Sequence, residues 1–249
     1  MADQDKGKTQ RLDQALVSRG FMESRAQAQA AIKAGNVRID GQLAKKASLT
    51  VSEQQIIEAE KAHPYVSRGG LKLEHGLSAF GVSAAGKVCL DVGASTGGFT
   101  DVLLRNDAQF VYAVDVGRDQ LHQLIRNDAR VECLENQDAR ALTSDIIQRS
   151  VELMVCDASF IGLEKLLGPA LKLMTDRAEA VVLFKPQFQV GPENVGRAGL
   201  VKDQEAIQSA RAHFDRWLLS VGWMVFQSTQ SPIRGGDGNT EFLLHLKRA

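Results

Sequence analysis

The sequence predicts an α/β molecule: a mostly parallel, doubly wound sheet over most of the chain, preceded by a small α+β module. Three observations carry this. Beyond residue 65 or so, short apolar β-prone runs alternate with helix-like runs, the pattern of βαβ units. One strand-to-helix junction, Leu90-Asp91-Val92-Gly93-Ala94-Ser95-Thr96-Gly97-Gly98-Phe99-Thr100-Asp101, carries the glycine turn of a ligand-binding loop. The first sixty residues instead show two short helical patterns followed by short strands.

In chain order, residues 1–9 are polar and read as a frayed end. Leu12, Ala15 and Leu16 recur at helical spacing until Ser18-Arg19-Gly20 ends the run. Ser24 and Gln27 form a capping-box pattern opening a second helix, which passes Ala28 and Ile32 and stops at Gly35. Val37 to Ile39 followed by Asp40-Gly41 is a short strand and turn, and 49–51 and 55–57 look like further strands. The charged, proline-containing run EAEKAHPY ends this part. The expected boundaries are 1–60 for the module, 61–66 for a linker and 67–249 for the larger domain. In the larger domain a helix is expected over 67–80. Strands are expected over 87–91, 109–116, 131–134, 151–157, 179–185, 223–228 and 241–246, and helices over 98–105, 118–126, 139–148, 160–174 and 203–221. The last two strands have no long helix between them, which predicts an antiparallel hairpin at one edge.

Bulk properties exclude several classes. Thirty Lys and Arg balance thirty Asp and Glu, so no global field attracts nucleic acid; residues 11–46, however, hold seven Lys/Arg against three Asp/Glu, a local basic patch. Cys89, Cys133 and Cys156 are scattered without a C-x-x-C pair, which argues against a zinc site or disulfide framework. No run approaches 18 apolar residues and the N-terminus is polar, so neither membrane span nor signal peptide is expected and the cytoplasm is the default location. No oligomeric state follows from these features.

The glycine turn narrows its own ligand. Gly93, Gly98 and Thr100 have P-loop spacing, but Phe99 stands where the phosphate-binding lysine must be. A dinucleotide loop needs glycine where Ser95 stands. The remaining reading is a nucleoside cofactor without phosphates, S-adenosylmethionine. Asp91 would then sit at the strand tip near the methionine amino group, and Gly93, Ala94, Ser95, Gly97, Gly98 and Phe99 would form the loop around it. Asp115, closing the next strand 22 residues after Gly93, can accept from both ribose hydroxyls. Asp138 can bind an adenine amino group or, equally well, cap a helix at Ala139. Asp157 and Lys185 close two more apolar strands, Glu241 opens another, and Lys72 lies on the first helix of the domain. A lysine ending an apolar strand is costly unless a carboxylate pairs with it.

The run RLDQALVSRGFMESRAQAQAAIKAGNVRIDGQ resembles the S4 RNA-binding domain. That resemblance implies that Arg11, Arg25, Lys33 and Arg38 belong to a face that meets RNA phosphates, contacts that position without reading sequence. Arg11-Leu12-Asp13 has the letters of the catalytic triplet of pseudouridine synthases, but it opens the first helix of the module and is not read as catalytic.

SRGGLKL, LDVGASTGGFTD, CDASFI, FKPQF and GNTEF stand in the order of the RrmJ/FtsJ-type ribose 2′-O-methyltransferases, and the whole chain resembles the TlyA/haemolysin A family. The resemblance implies a Rossmann-like methyltransferase sheet, S-adenosylmethionine as cofactor, ribosomal RNA or ribosomal subunits as partner, and Lys72, Asp157, Lys185 and Glu241 as the catalytic tetrad, with no metal required. Cytidine as the target is likewise implied by the family alone. A free lysine is charged at neutral pH. Lys185 therefore acts either as a base, once desolvation and Lys72 favour the neutral amine, or as a fixed positive charge, which Asp157 and Glu241 favour. The base is the preferred reading, with Asp157 orienting Lys185 and the Lys72–Glu241 pair shaping the pocket.

Other chemistries fit less well. Amino-directed methyltransferases carry [DNS]-P-P-[YFW] where this chain has Asp157-Ala158-Ser159-Phe160, without prolines. Methylation at pyrimidine carbon needs a catalytic cysteine, and strand alternation turns Cys156 away from the face that presents Asp157. Two other function classes are a non-catalytic RNA-binding assembly factor and a membrane-active haemolysin; the latter lacks a basic amphipathic helix to support it.

Overall fold

The computed structural model describes residues 9–249, in two compact units, Met1–Pro64 and Tyr65–Ala249. Of the frayed end expected over 1–9, residues 1–8 lie outside the described residues. Thr9 is not frayed: β1 (Thr9–Arg11) pairs antiparallel with β4 (Thr50–Ser52), a pairing too short to stand out in the sequence. Between them come α1 (Leu12–Ser18), α2 (Arg25–Ala34), β2 (Val37–Ile39) and β3 (Gln42–Leu43), and β5 (Ile57–Ala59) follows, giving a second sheet ordered β3-β2-β5. Leu12, Leu16, Ala28 and Ile32 close the core of this unit. Ser24 caps α2 by accepting the Gln27 N–H at 3.3 Å, but the Gln27 side chain reaches back to Glu23 N–H at 3.2 Å, one residue earlier than a capping box requires. Gly35 ends α2 at φ 82°, a left-handed conformation that glycine adopts without strain. Tyr65 and Val66, expected in the linker, are anchored in the second unit. Tyr65 is buried there, and Val66 N–H donates to Asp101 at 2.8 Å.

The second unit begins with α3 (Gly69–Phe80). Its seven-stranded sheet comprises β6 (Val88–Val92), β7 (Phe110–Val114), β8 (Val131–Leu134), β9 (Val151–Cys156), β10 (Met174–Phe184), β11 (Trp223–Gln230) and β12 (Phe242–Arg248), in the order β11-β12-β10-β9-β6-β7-β8. The β10-β9-β6-β7-β8 pairs are parallel. Strand β12 runs antiparallel between β10 and β11, the expected edge hairpin. Every residue of β6 is buried, as a strand covered on both faces must be. On one face α4 (Gly98–Arg105) and α3 pack Leu103 and Leu73 on Cys89, Leu153 and Val155. On the other, α6 (Leu163–Lys172) and α7 (Gln204–Ser220) pack Leu167 and Phe214 on Leu90, Met154 and Cys156. From β6 the chain builds outward to β7 and β8, then returns to place β9 and β10 on the other side. The crevice at the carboxyl ends of β6 and β9 is therefore a topological switch point, where open sheets bind ligands.

Two expected helices are largely absent. Of 118–126 only α5 (Gln123–Arg126) forms, because the N–H groups of Asp119, Gln120 and Leu121 donate to the Glu135 carboxylate at 2.8–2.9 Å instead of continuing a helix. Of 139–148 only a 3-10 turn, Ala139–Ala141, forms. Leu142 turns extended, and both Leu142 and Ile147 enter the core from irregular backbone. Tertiary packing overrides helical spacing in both segments. Strand β10 begins at Met174, earlier than expected, through an irregular register before Glu179. Among the described residues no helix is long and apolar enough to cross a membrane.

Candidate active site

Four of the predicted residues meet because of strand direction. Asp157 and Lys185 each lie one residue past the carboxyl end of a parallel strand, β9 and β10. Strand β12 is antiparallel, so its start lies at the same end: Phe242 pairs with Phe184, which sets Glu241 beside Lys185. Lys72 comes from α3, which lies close on the sheet because its inward glycines are small. A Cβ on Gly76 would sit 3.3 Å from Leu243 and Val181, and one on Gly70 would overlap the Tyr65 ring.

The four make two ion pairs. Lys72 Nζ is 2.5 Å from Glu241 Oε2, and Lys185 Nζ is 2.6 Å from Asp157 Oδ1. Both lysines and Glu241 are buried, whereas Asp157 keeps 20% of its side chain exposed. The Lys185–Asp157 contact is charge against charge without hydrogen-bond alignment; Lys185 Nζ donates instead to Ser159 Oγ at 2.8 Å.

The glycine turn forms the adjoining wall. Gly93 and Gly97 adopt φ of 83° and 94°, and Ser95 takes φ 48°. The N–H groups of Gly93 and Ala94 both donate to Val114 O, at 2.9 and 3.0 Å. Ser95 N–H donates to Asp115 Oδ2 at 2.8 Å and Gly117 N–H to Oδ1 at 2.7 Å, so Asp115 joins the turn to the end of β7. Gly98 touches the Ser67 hydroxyl, leaving no room for a Cβ, and Gly97 packs on Leu121. Phe99 is almost wholly buried in the core yet lines the cavity. Asp91, the last residue but one of β6, has no exposed surface; it accepts the Thr100 hydroxyl at 2.6 Å and leaves Oδ1 without a partner. Burial pushes its carboxyl up to about 7.

Two cavities open here. One, of about 430 Å³, is walled by Lys72, Lys185, Glu241, Ala94, Gly98 and Phe99. The other, of about 530 Å³, runs past Val92, Val114, Val116, Leu166, Asp115 and Asp138. Gly93, Ser95, Asp157, Ser159 and Phe160 line both, so the cavities adjoin at Asp157. The second suits a nucleoside: an apolar slot with the Asp115 carboxylate for a diol. The cation on its wall, Arg140, is held by Asp138 at 2.6 Å, leaving it poorly placed for phosphate. Asp138 also caps the 3-10 turn by accepting Arg140 N–H at 2.9 Å, the capping role weighed from the sequence, while it still lines the cavity.

Ser159, Phe160, Gln187 and Phe188, not among the residues expected from the sequence, are brought to the first cavity by the fold. Phe160 is 91% exposed, at φ 66°, with its ring 5.2 Å from that of Phe188. A signal existed: Phe160 occupies the aromatic position of the [DNS]-P-P-[YFW] pattern. Cys156 is inert, its thiol pushed up to about 12 by complete burial. In the first unit, Arg11 and Arg25 both pair with the buried Asp13, at 3.0 and 2.8 Å, and stay about half exposed. Arg38 donates to Gly41 O at 3.1 Å, and Lys33 is exposed. Asp13, held well below the usual carboxylate range by these hydrogen bonds, anchors the arginines and has no surface to offer a substrate.

Comparison with known proteins agrees with this architecture. Residues 65–248 match the FtsJ-like methyltransferase model and residues 10–57 the S4 domain. The 16S/23S rRNA (cytidine-2′-O)-methyltransferase TlyA of Mycobacterium tuberculosis is 43% identical over 241 residues, 95% of this chain and 89% of that one. Hemolysin A of Brachyspira hyodysenteriae is 36% identical over 95% of this chain and 99% of its own length. A solved structure from Streptococcus thermophilus, described as a hemolysin, superposes with a TM-score of 0.76 at 36% identity, covering 97% of this chain and 89% of that one. The chain thus belongs to the TlyA/haemolysin A family within the FtsJ-like methyltransferases, an S4 domain joined to an S-adenosylmethionine-dependent methyltransferase.

Proposed function

We propose that this chain methylates the ribose 2′-hydroxyl of a cytidine in ribosomal RNA, with the S4 domain holding structured RNA and Lys72, Asp157, Lys185 and Glu241 acting on the ribose. The observation that carries the reading is the convergence of two lysine–carboxylate pairs on one cavity that adjoins a nucleoside-shaped slot at Asp157. When bound, S-adenosylmethionine supplies an electrophilic methyl group on a sulfonium centre. Asp115, Gly93, Ala94, Ser95, Gly97, Gly98, Phe99 and Asp138 form or support its place, with Asp91 bracing the turn from below through Thr100.

The chain's own part is to make a weak nucleophile reactive. Lys185 gives up the proton of its ion pair to solvent and, as the neutral amine, its Nζ takes the proton of the 2′-hydroxyl. Asp157, 2.6 Å away, stabilises the ammonium that forms, and Ser159 fixes the direction of the amine. The Lys72–Glu241 pair closes the far wall and positions the ribose by hydrogen bonds. Phe160 and Phe188 offer flat apolar faces on which an unstacked base rests. Arg11, Arg25, Lys33 and Arg38 meet phosphates, the first two held in fixed directions by Asp13.

Transfer of tritiated methyl to ribosomal subunits and naked rRNA from cells lacking the protein, with mass-spectrometric mapping of the product, tests this. We expect a 2′-O-methylated cytidine, and Lys185→Ala to lower the rate at least ~100-fold while still binding cofactor. Methylation on a base, or full activity in Lys185→Ala, overturns it.

A further inference from the structure

We infer that Gln187 reads the target base, its side-chain carbonyl accepting the exocyclic amino group of cytosine. The inference rests on the ribose-methylation reading above and adds the group that selects the nucleotide.

Gln187 lies in the short 3-10 turn Pro186–Phe188 that directly follows Lys185. It is 9% exposed, lines the 430 Å³ cavity, and its Oε1 has no hydrogen-bond partner. A buried carbonyl without a donor is a standing cost, and folded proteins keep few of them. The contrast with Gln189 is direct: two residues on, its Oε1 accepts Leu163 N–H at 3.2 Å and ties the turn to α6. The Gln187 amide does no such structural work, and it sits in the cavity wall beside Phe188.

The neighbours indicate the ligand chemistry. Phe188 and Phe160, 5.2 Å apart, present aromatic faces, and Lys185 and Asp157 mark where the ribose is bound. The two rings are tilted by 50°, so a base stacks on one of them and offers its hydrogen-bonding edge in its own plane, toward the wall. Cytosine presents there an amino donor beside the N3 acceptor, the complement of an amide's carbonyl and N–H₂. Uracil presents a carbonyl instead, setting acceptor against acceptor and leaving the buried Oε1 unpaired.

The test uses full-length protein and three RNAs, identical except that the mapped target position carries cytidine, uridine, or 2-pyrimidinone riboside, which is cytosine without its amino group. We expect the wild type to prefer cytidine over both by roughly ten-fold or more in kcat/KM, the size of one buried hydrogen bond. Gln187→Leu should lose that factor on cytidine and treat the three RNAs alike, with cofactor affinity by calorimetry unchanged. Equal wild-type rates on all three RNAs overturn the assignment without any variant, as does a Gln187→Leu protein that still discriminates. If the wild type transfers methyl to none of them, the ribose-methylation reading falls as well, so the two failures are distinct.

Discussion

Lys72 and Glu241 are 169 positions apart in the chain and meet inside the fold at 2.5 Å. Removing one partner leaves the other charge buried and alone. Lys72→Met should therefore destabilise the methyltransferase unit by about 3–5 kcal/mol, while Lys72→Met with Glu241→Leu should recover most of that stability without recovering activity. Thermal melts and methyl transfer measure the two; equal melting of the single and double variants would contradict the pairing. Asp91 makes a pH prediction. Its carboxyl is raised, chiefly by burial, to about 7 from the ordinary 3.8, so the folded state holds a proton that the unfolded chain releases. The contribution is fully present below about pH 4 and is lost as pH rises through 7. Asp91→Asn should flatten the stability profile over that window by on the order of a few kcal/mol. An unchanged difference between wild type and variant from pH 4 to 8 would refute it. Legibility also differs at this scale. Lys185 and Asp157 stood out because charges ending apolar runs are expensive, whereas Gln187 is ordinary by composition and becomes conspicuous only when its unpaired oxygen is seen.

At the scale of elements, Glu135 replaces a helix. Its carboxylate gathers three backbone N–H groups and Arg126, which lower it to about 2, and so fixes the loop whose Val116, Gly117 and Gln120 line the cavity of about 530 Å³. Glu135→Gln keeps the shape but turns an N–H₂ toward donors. It should weaken cofactor binding about ten-fold or more, a loss of ~1–3 kcal/mol, with kcat at saturation little changed. Calorimetry and a KM-against-kcat comparison decide; a fall in kcat alone would rule out a positioning role. The apolar spacing of 118–126 and 139–148 fits a helix, and nothing local reveals that Glu135 competes for the same N–H groups or that Leu142 and Ile147 enter the core from irregular backbone. The strands were easier to see, because a parallel strand buried on both faces must be continuously apolar.

For the whole molecule, each of the two units carries its own core, so RNA grip and methyl transfer should separate. Lys33→Ala and Arg38→Ala should weaken RNA binding uniformly across sequences and lower the salt slope by about one each, with S-adenosylmethionine affinity untouched. Filter binding over a salt series checks this, and an unchanged slope would remove these residues from the RNA face.

The sequence alone determined the two-part order, the parallel sheet and the glycine turn, because patterning acts locally along the chain; it set Asp157 and Lys185 apart as charges closing apolar runs, whereas Lys72 and Glu241 were singled out only by the resemblance of their motifs. Only the tertiary structure decided which lysine pairs with which carboxylate, that Asp91 lies beneath the turn, and that Phe160, Phe188 and Gln187 share a wall with Lys185. Those facts depend on strand order and on the antiparallel insertion of β12, which bring together groups that no spacing in the chain connects.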